Sequence, residues 1–403
     1  MDSGQALLAV CFWVCLAAVL YAYVGYPLLV WFLARWFGRV TAPPPWSEDD
    51  PPTVSLLIAA HNEEADIGQR LEDALAADYP LGRLEVVVAS DGSTDRTDAI
   101  VRRYADRGVR LLAYRDRQGK ANALNRAMAQ LTGDIVVLSD ANTETDTGAV
   151  RQLARWFADP SVGVVCGRLV LVDANTGRNV DGMYWKYENH IKKCEGRLGA
   201  LLGSNGAIYA IRRELFRPLP AGTIIDDFVA PLQAKMRTGC RIVYDHTAVA
   251  REETPTSIRA EFGRRCRIGA GAFQCLPWLA PLLHPRHGWL AFAFFSHKVL
   301  RWLCPFFLLG ALAANAALAG ESVYAALLLG QVSLYTAAAL GPWLPLRPRM
   351  FRPLRLPAMF VSMNAALFIG FLRWLRGNQN GTWRRTDRTP ALAKPLTPVE
   401  AMP

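Results

Sequence analysis

The sequence has little charge for its length. Of its 403 residues, 20% are Asp, Glu, Lys or Arg, whereas 52% are hydrophobic. This balance excludes a disordered tail and is too apolar for an ordinary soluble domain, so we expect part of the chain to lie in lipid. The 45 Lys and Arg outnumber the 35 Asp and Glu, and the formal net charge of +10 favours nucleic acid or a membrane as partner.

Motifs that define several other classes of protein are absent. The eight cysteines include no CxxC pair, which argues against a zinc site and a disulfide framework and favours free thiols in a reducing compartment. No GxGxxG follows the first predicted strand and no GxxxxGK[ST] occurs, so we expect neither a dinucleotide enzyme nor a P-loop ATPase. No nucleic-acid-binding motif is present, and we expect no nucleic-acid partner.

Charged side chains are missing altogether from residues 3–34, a run that exceeds the roughly 20 residues needed to cross a bilayer. A signal peptide is the alternative, but its apolar region would be shorter, and Asp2 stands where a signal peptide carries a basic residue. We therefore predict a transmembrane anchor in residues 1–40. Arg35 and Arg39 then mark its cytoplasmic side.

Apolar runs return late in the chain. Residues 302–320, 322–346 and 356–372 are uncharged, which predicts a transmembrane bundle over residues 297–376. Residues 271–296 are apolar but interrupted by three prolines, and we predict an interfacial segment there. Arginines 347, 349, 352 and 355 lie between the last two runs and account for part of the positive charge. The pattern indicates a multi-pass protein of the inner (plasma) membrane.

Between these membrane segments, residues 50–270 alternate short β-branched runs with helical patterns. We predict strands at 54–60, 85–90, 109–114 and 135–140, and helices at 64–77, 95–106 and 120–131. This alternation predicts parallel βαβ units in one open sheet, whose ligands bind beyond the carboxyl ends of the strands.

Acidic and amide side chains follow three of these strands, in residues 61–64, 91–95 and 140–142. Each cluster alone is explained by helix capping or a turn. Three clusters at one sheet edge favour a site for a divalent metal shared with a phosphate-bearing substrate.

Six sequence motifs in one order carry a family resemblance: VSLLIAAHNEE, VVVASDGSTD, GKANALN, VVLSDANT, GSNGAIYAIRR and IIDDF. Their order resembles family 2 glycosyltransferases with the α/β GT-A fold. Within that family it resembles the membrane-embedded group that includes cellulose, hyaluronan and poly-N-acetylglucosamine synthases. The resemblance implies a cytoplasmic domain that moves a sugar, with inversion, from a UDP-sugar to a polysaccharide or lipid-linked glycan acceptor.

The resemblance also implies a nucleotide site. His61, Asn62 and Glu63 match the segment that holds the nucleotide base, and Asp91 matches a carboxylate at the uracil or ribose. Lys120 matches a lysine near the nucleotide, where an ammonium suits a diphosphate. A solvated lysine at a helix N-terminus is the alternative.

The resemblance places Asp140 and Asn142 at the family's DxD positions, which bind the donor diphosphate and Mg²⁺ or Mn²⁺. An amide replaces the second acid here, and one negative charge fewer weakens a metal site. Asp226 and Asp227 fall where the family has its general base, which takes the proton of the acceptor hydroxyl. We predict Asp227 as the base and Asp226 as the second choice, against the alternative that both cap the following helix.

The sequence departs from the family at the QxxRW motif, where residues 264–268 retain only Arg267. Ile268 cannot stack on a sugar as tryptophan does. Processive synthesis is therefore in doubt, and the alternative is single addition to a lipid such as a polyprenyl phosphate or glycolipid. Arg264 and Arg267 contact a diphosphate or, equally, anchor the chain near lipid headgroups.

Gly203 and Asn205 either line the acceptor cleft or form a plain turn. In the basic tail, residues 377–403, Trp383 and Arg384 belong to a segment that resembles a loop covering the active site, which requires a cytoplasmic position. Three full spans after the catalytic domain conflict with that position, unless residues 356–372 are re-entrant or interfacial or an upstream segment crosses. A catalytically inactive membrane assembly protein is a further alternative, against which the retained acids argue.

Overall fold

The structure, a computed structural model, describes residues 2–172, 183–254, 258–340 and 355–377. The predicted positions Trp383 and Arg384, and the arginines at 347, 349 and 352, lie outside the described residues.

The part of the chain between the first and the later apolar segments contains one mixed sheet, which has eight strands within the described ranges. The strands are β1 Val54–Ala60, β2 Leu84–Asp91, β3 Val109–Tyr114, β4 Ile135–Asp140, β5 Glu144–Thr145, β6 Val162–Val172, β7 Tyr209–Arg212 and β8 Arg241–Glu253. Their spatial order is β3-β2-β1-β4-β7-β6-β8-β5. The first four predicted strands are confirmed and pair in parallel, whereas β7 joins β4 and β6 antiparallel.

Helices in the described ranges cover both faces of the sheet and form the candidate membrane spans. They are α1 Ser3–Leu20, α2 Tyr26–Trp36, α3 Ile67–Leu75, α4 Thr97–Arg102, α5 Lys120–Met128, α6 Ala149–Ala154, α7 Met183–Arg197, α8 Asp226–Thr238, α9 Ile258–Leu279, α10 Trp289–Ala293, α11 Leu300–Ala317, α12 Ser322–Leu340 and α13 Arg355–Leu375. Helices α3, α4 and α5 are shorter than the sequence predicts. The first two begin late because the Asp95 carboxylate accepts hydrogen bonds from the backbone N–H groups of Glu64 and Thr97, which holds Glu64 and Asp95 in loops.

Alternate residues of the strands pack into two hydrophobic cores, as the period of two along a strand requires. Leu57 faces one core, which continues through α5, α8 and α9, whereas Leu56 and Ile58 face the core beneath α3 and α6. Because both faces are covered, the polar ends of the strands are the part of the sheet open to a ligand.

Four helical segments among the described residues are long and apolar enough to cross a membrane: Ser3–Trp36, Trp289–Ala317, Ser322–Leu340 and Pro357–Leu375. The second segment begins earlier than the uncharged run at 302–320, because the helix continues through Arg301, a buried residue ion-paired to Glu188. Before it, α9 runs through Pro277 to Leu279, and short 3-10 turns occupy residues 280–283 and 285–287.

Helix α13 packs closely along α9. A Cβ atom on Gly370 would lie 2.6 Å from the backbone nitrogen of Ala270, so the two helices touch backbone to backbone there. The ring of Phe273 on α9 lies 5.1 Å from that of Phe371 on α13, in an edge-to-face arrangement. Since α9 also carries Arg267, this packing connects α13 to the polar edge of the sheet.

Candidate active site

The loops after β1 and β2 are joined to each other by hydrogen bonds. The side chain of Asn62, whose φ of 56° is left-handed, accepts a hydrogen bond of 2.7 Å from the backbone N–H of Thr94. The backbone N–H of Glu63 donates to Thr97 Oγ1 at 2.8 Å, and His61 Nδ1 lies 2.8 Å from the backbone oxygen of Asp91. The structure therefore brings His61, Asn62 and Glu63 to one place beside Asp91, at the end of the first two strands.

Asp91 is buried and has a structural partner for each carboxylate oxygen. Its Oδ1 accepts from the backbone N–H of Gln118 at 2.9 Å, and its Oδ2 accepts from that of Gly119 at 2.7 Å. Gly119 has a φ of 92° and directly precedes α5. Asp91 thus fixes the loop that presents Lys120, whereas its contact with a nucleotide stays a prediction.

Lys120 lies between two carboxylates that are distant in sequence. Its Nζ is 2.8 Å from Asp140 Oδ1, at the end of β4, and 3.2 Å from Asp226 Oδ2, in the first turn of α8. Burial alone would lower the pKa of Lys120, but Asp140 and Asp226 together raise that pKa well above its usual value. The alternative of a solvated helix-end lysine is wrong, because this ammonium is the counter-ion of the acid cluster.

Asp227 is the neighbour of this ion pair. Burial and the adjacent charge of Asp226 raise the pKa of Asp227 to about 6, against the opposing attraction of Lys120. A Cβ atom on Gly206 would lie 3.5 Å from both Asp227 Oδ2 and Asp140 Oδ2, so the two carboxylates face the same glycine. A carboxylate with a pKa near 6 is suited to exchange a proton near neutral pH.

The segment containing Gly203 and Asn205 packs against the start of α8. Gly203 has a φ of 75°, and a Cβ atom there would lie 2.8 Å from the ring of Phe228. Next to it, the N–H and Oγ of Ser204 donate to the backbone oxygen of Asp227 at 3.0 and 2.7 Å. Asn205 accepts from Lys192 and donates to the backbone oxygen of Gly167. The segment that contains Gly203 and Asn205 therefore packs against the backbone of Asp227.

The arginines of α9 divide into two groups. Burial lowers the pKa of Arg267, against the opposing attraction of the carboxylates of Asp140, Asp226 and Asp227. Arg264 and Arg265 instead form ion pairs with Glu261, one helical turn earlier, at 2.8 and 2.7 Å. The structure thus brings Arg267 to the acid cluster and engages Arg264 within its own helix.

The donor atoms for a divalent metal are incomplete in the protein alone. Asp140 ends β4 and Asn142 lies half-buried in the turn that follows. Among the described residues, no three His, Cys, Asp or Glu side chains come together as a metal-binding group. Carboxylate and amide oxygens nevertheless suit Mg²⁺ or Mn²⁺, and the phosphate oxygens of a nucleotide supply the further ligands that such an ion requires.

Two site residues are missed by sequence reasoning. Tyr209 on β7 is fully buried, and its pKa is raised by burial and by Asp226, Asp227 and Asp140; its hydroxyl has no hydrogen-bond partner among the described residues. Lys192 on α7 is close enough to lower the pKa of Asp227. Tyr209 reads as an ordinary apolar strand residue and Lys192 as a helix-surface lysine, so neither carries a signal in the sequence.

Comparisons with known proteins agree with this geometry. Residues 55–218 match the family described as glycosyl transferase family 2. The chain is 28% identical over 232 residues to a beta-monoglucosyldiacylglycerol synthase of Synechocystis sp., which covers 55% of this chain and 48% of that relative. It is 28% identical over 277 residues to an N-acetylglucosaminyltransferase of Rhizobium meliloti, which covers 63% and 64% respectively. The chain thus spans less than two thirds of either relative.

Among solved structures, the chain is similar to a mannosyltransferase of Pyrobaculum calidifontis in complex with GDP-Man and Mn²⁺. The TM-score is 0.69 at 26% identity, and the match covers 91% of this chain and 99% of that one. The predicted GT-A fold is confirmed by this likeness together with the family match.

Proposed function

We propose that this chain, which carries a glycosyl transferase family 2 domain in residues 55–218, transfers a sugar from a nucleotide diphosphate donor to an acceptor at a membrane. The observation that carries the proposal is the cluster of Lys120, Asp140, Asp226 and Asp227 beside the carboxyl end of β4, in which Asp226 is buried and the other three side chains are half-buried. An inactive assembly protein is disfavoured, because such a protein has no need of a half-buried carboxylate whose pKa is raised to about 6.

Asp227 is the general base of the proposed reaction. It takes the proton of the acceptor hydroxyl while that oxygen attacks the anomeric carbon, and the nucleotide diphosphate leaves from the opposite face, which inverts the configuration. Of the two adjacent acids, Asp226 is ion-paired with Lys120 at 3.2 Å. We therefore assign the role of base to Asp227. The pKa of about 6 suits Asp227 to accept a proton near neutral pH.

Lys120 and Arg267 supply positive charge for the departing diphosphate. Fixed cations aimed at the charge that develops on a leaving group stabilise the transition state more than the ground state. Lys120 already lies against Asp140, the acid at the predicted diphosphate position, and Arg267 is attracted to the same acid.

A divalent ion completes the proposed site. Asp140 would hold it through a carboxylate oxygen and Asn142 through its amide oxygen. When bound, such an ion neutralises part of the charge of a diphosphate leaving group. The similar mannosyltransferase structure contains Mn²⁺, which supports this assignment, with Mg²⁺ as the other candidate.

The donor is proposed to be a UDP-sugar, held at its base by His61, Asn62, Glu63 and Asp91. A GDP-sugar is a second candidate, because the similar mannosyltransferase structure holds GDP-Man.

The acceptor is proposed to be a glycan or a lipid-linked acceptor at the membrane. Ile268 stands where processive synthases have tryptophan, which favours single addition to a lipid over chain growth. One relative is named for the synthesis of a glucosylated diacylglycerol, which supports a lipid as the acceptor.

The catalytic domain is proposed to face the cytoplasm, with Arg35 and Arg39 following the first span on that side. The packing of α13 along α9 supports an interfacial or re-entrant position for residues 356–372, since α9 carries Arg267 at the site. That position would return the end of α13 to the side of the catalytic domain.

A donor panel tests the proposal. Purified full chain in lipid bilayers is incubated with UDP- and GDP-sugars, Mg²⁺ or Mn²⁺ and extracted bacterial lipid, and the released nucleoside diphosphate and the product length are measured. We expect release with one nucleotide class and a product that carries one added sugar. Release from no donor would contradict the proposed activity, and a ladder of many sugars would contradict single addition.

A further inference from the structure

A small cavity lies between the end of the first membrane segment and α7, away from the acid cluster. It has a volume of about 150 Å³ and is open to solvent: it is lined by Trp31 and Arg35 of α2 and by His190, Lys193, Cys194 and Arg197 of α7, all of them exposed except Cys194. This volume is well below the roughly 300–1,000 Å³ of a typical small-molecule site. It suits one compact group such as a phosphate.

The charge lining the cavity has one sign. Arg35, Lys193 and Arg197 contribute cations, and no Asp or Glu is among the lining residues. Helix α7 carries two glutamates in its described part, and both form ion pairs outside the cavity. Glu195 pairs with His297, and Glu188 pairs with His297 and Arg301. The cavity therefore attracts an anion and has no carboxylate of its own to neutralise it.

The walls of the cavity are fixed relative to each other. Val30 and Ala34 of α2 pack with Ile191 and Cys194 of α7 in one buried cluster. Just after α2, the backbone N–H of Arg39 donates to the backbone oxygen of Arg197 at 2.9 Å. The cations are therefore carried by two helices that are packed together, as a binding site requires.

The position of the cavity selects the kind of anion. Trp31 and Arg35 are four residues apart near the end of a candidate span, and a tryptophan followed by a basic residue is typical of the boundary between hydrocarbon and headgroups. We propose that this cavity binds the phosphate of an anionic membrane lipid headgroup. The ligand is a lipid anion because the cavity opens where a headgroup lies, at the end of the apolar segment.

The opposite side of α7 leads to the acid cluster. Lys192, next to Lys193 in sequence, donates to Asn205 in the segment that packs on Asp227. A bound headgroup would therefore hold the helix that supports this segment. The binding itself does not depend on the proposed sugar transfer and is measured without it.

Native mass spectrometry of the full chain in detergent, titrated with phosphatidylglycerol or phosphatidylcholine, tests the proposal. We expect one tightly retained phosphatidylglycerol and no retained phosphatidylcholine. The double variant Lys193→Gln/Arg197→Gln should bind phosphatidylglycerol about 25-fold more weakly, at about fivefold for each cation removed. The matched control Arg39→Gln/Lys186→Gln removes two exposed charges outside the cavity and should bind as the wild type does.

The charge-preserving variant Lys193→Arg/Arg197→Lys separates loss of charge from loss of folding, and it should retain the lipid. Equal weakening by the control pair would show diffuse charge attraction and would overturn the proposal. Equal retention of phosphatidylcholine would also overturn it. Displacement of the lipid by millimolar inorganic phosphate would assign the cavity to free phosphate instead of a lipid.

Discussion

Replacing Asp227 by asparagine is expected to stabilise the protein. Burial and Asp226 raise the pKa of Asp227 from 3.8 to about 6, which means that the folded protein disfavours the charged carboxylate. Its backbone contacts with Ser204 are made by the carbonyl oxygen and survive the substitution. The amide removes the unfavourable charge and leaves the fold otherwise unchanged.

The size of the expected stabilisation follows from the pKa shift of Asp227. Two pKa units correspond to about 3 kcal/mol of unfolding free energy, or about 5 °C in the unfolding midpoint. Because the folded pKa is the higher one, the wild type is stabilised by protonation and loses that stability as the pH rises from about 4 to about 6. The gain of Asp227→Asn is therefore full at pH 8 and vanishes near pH 4.

Thermal unfolding of the full chain in detergent, followed by tryptophan fluorescence at pH 8 and pH 4.5, measures this gain. Asp226→Asn is the matched control, and we expect it to lower the midpoint, because Lys120 loses one of its two carboxylate partners. An unchanged midpoint for Asp227→Asn at pH 8, or a gain of equal size at both pH values, would refute the reasoning.

Four further predictions concern the same edge of the sheet. Lys120→Gln leaves the buried Asp226 and the half-buried Asp140 without their ammonium partner and should lower the unfolding free energy by roughly 3 kcal/mol, measured by urea unfolding. Asp91→Ala leaves the backbone N–H groups of Gln118 and Gly119 without their acceptor and should lower the unfolding free energy by about 1–3 kcal/mol. It should also raise the KM for the donor. Gly203→Ala forces a side chain onto the Phe228 ring at a left-handed φ and should cost about 1–3 kcal/mol. In kinetics, kcat/KM should rise with pH, level off above about 6, and lose this inflection in Asp227→Asn.

The sheet and its polar edge were predictable because each depends on local pattern. The β-branched runs at 54–60 and 135–140 identify buried strands, and the polar residues that follow them meet wherever parallel strands end together. Asp140 was predicted at this edge from its position after a strand, whereas Lys120 was predicted near the nucleotide only from the family resemblance; the structure puts their charged atoms 2.8 Å apart.

The features that could not be predicted from the sequence depend on contacts between segments that are distant along the chain. Nothing in residues 91–119 shows that both oxygens of Asp91 bind the loop before α5. The position of Tyr209 against three acids arises from antiparallel pairing of β7 with β4, and sequence reasoning foresaw only parallel strands. The helix that includes Arg301 was also missed, because a buried ion pair with Glu188 offsets a charge that ends the apolar run.

The central claim is that Asp227 removes a proton during sugar transfer. The most direct measurement compares wild type and Asp227→Asn for two quantities, the transfer rate from the preferred nucleotide sugar and the affinity for its nucleoside diphosphate. We predict that the variant binds the diphosphate as the wild type does and transfers about 10²- to 10⁴-fold more slowly. Transfer at the wild-type rate, or loss of diphosphate binding, would contradict the account.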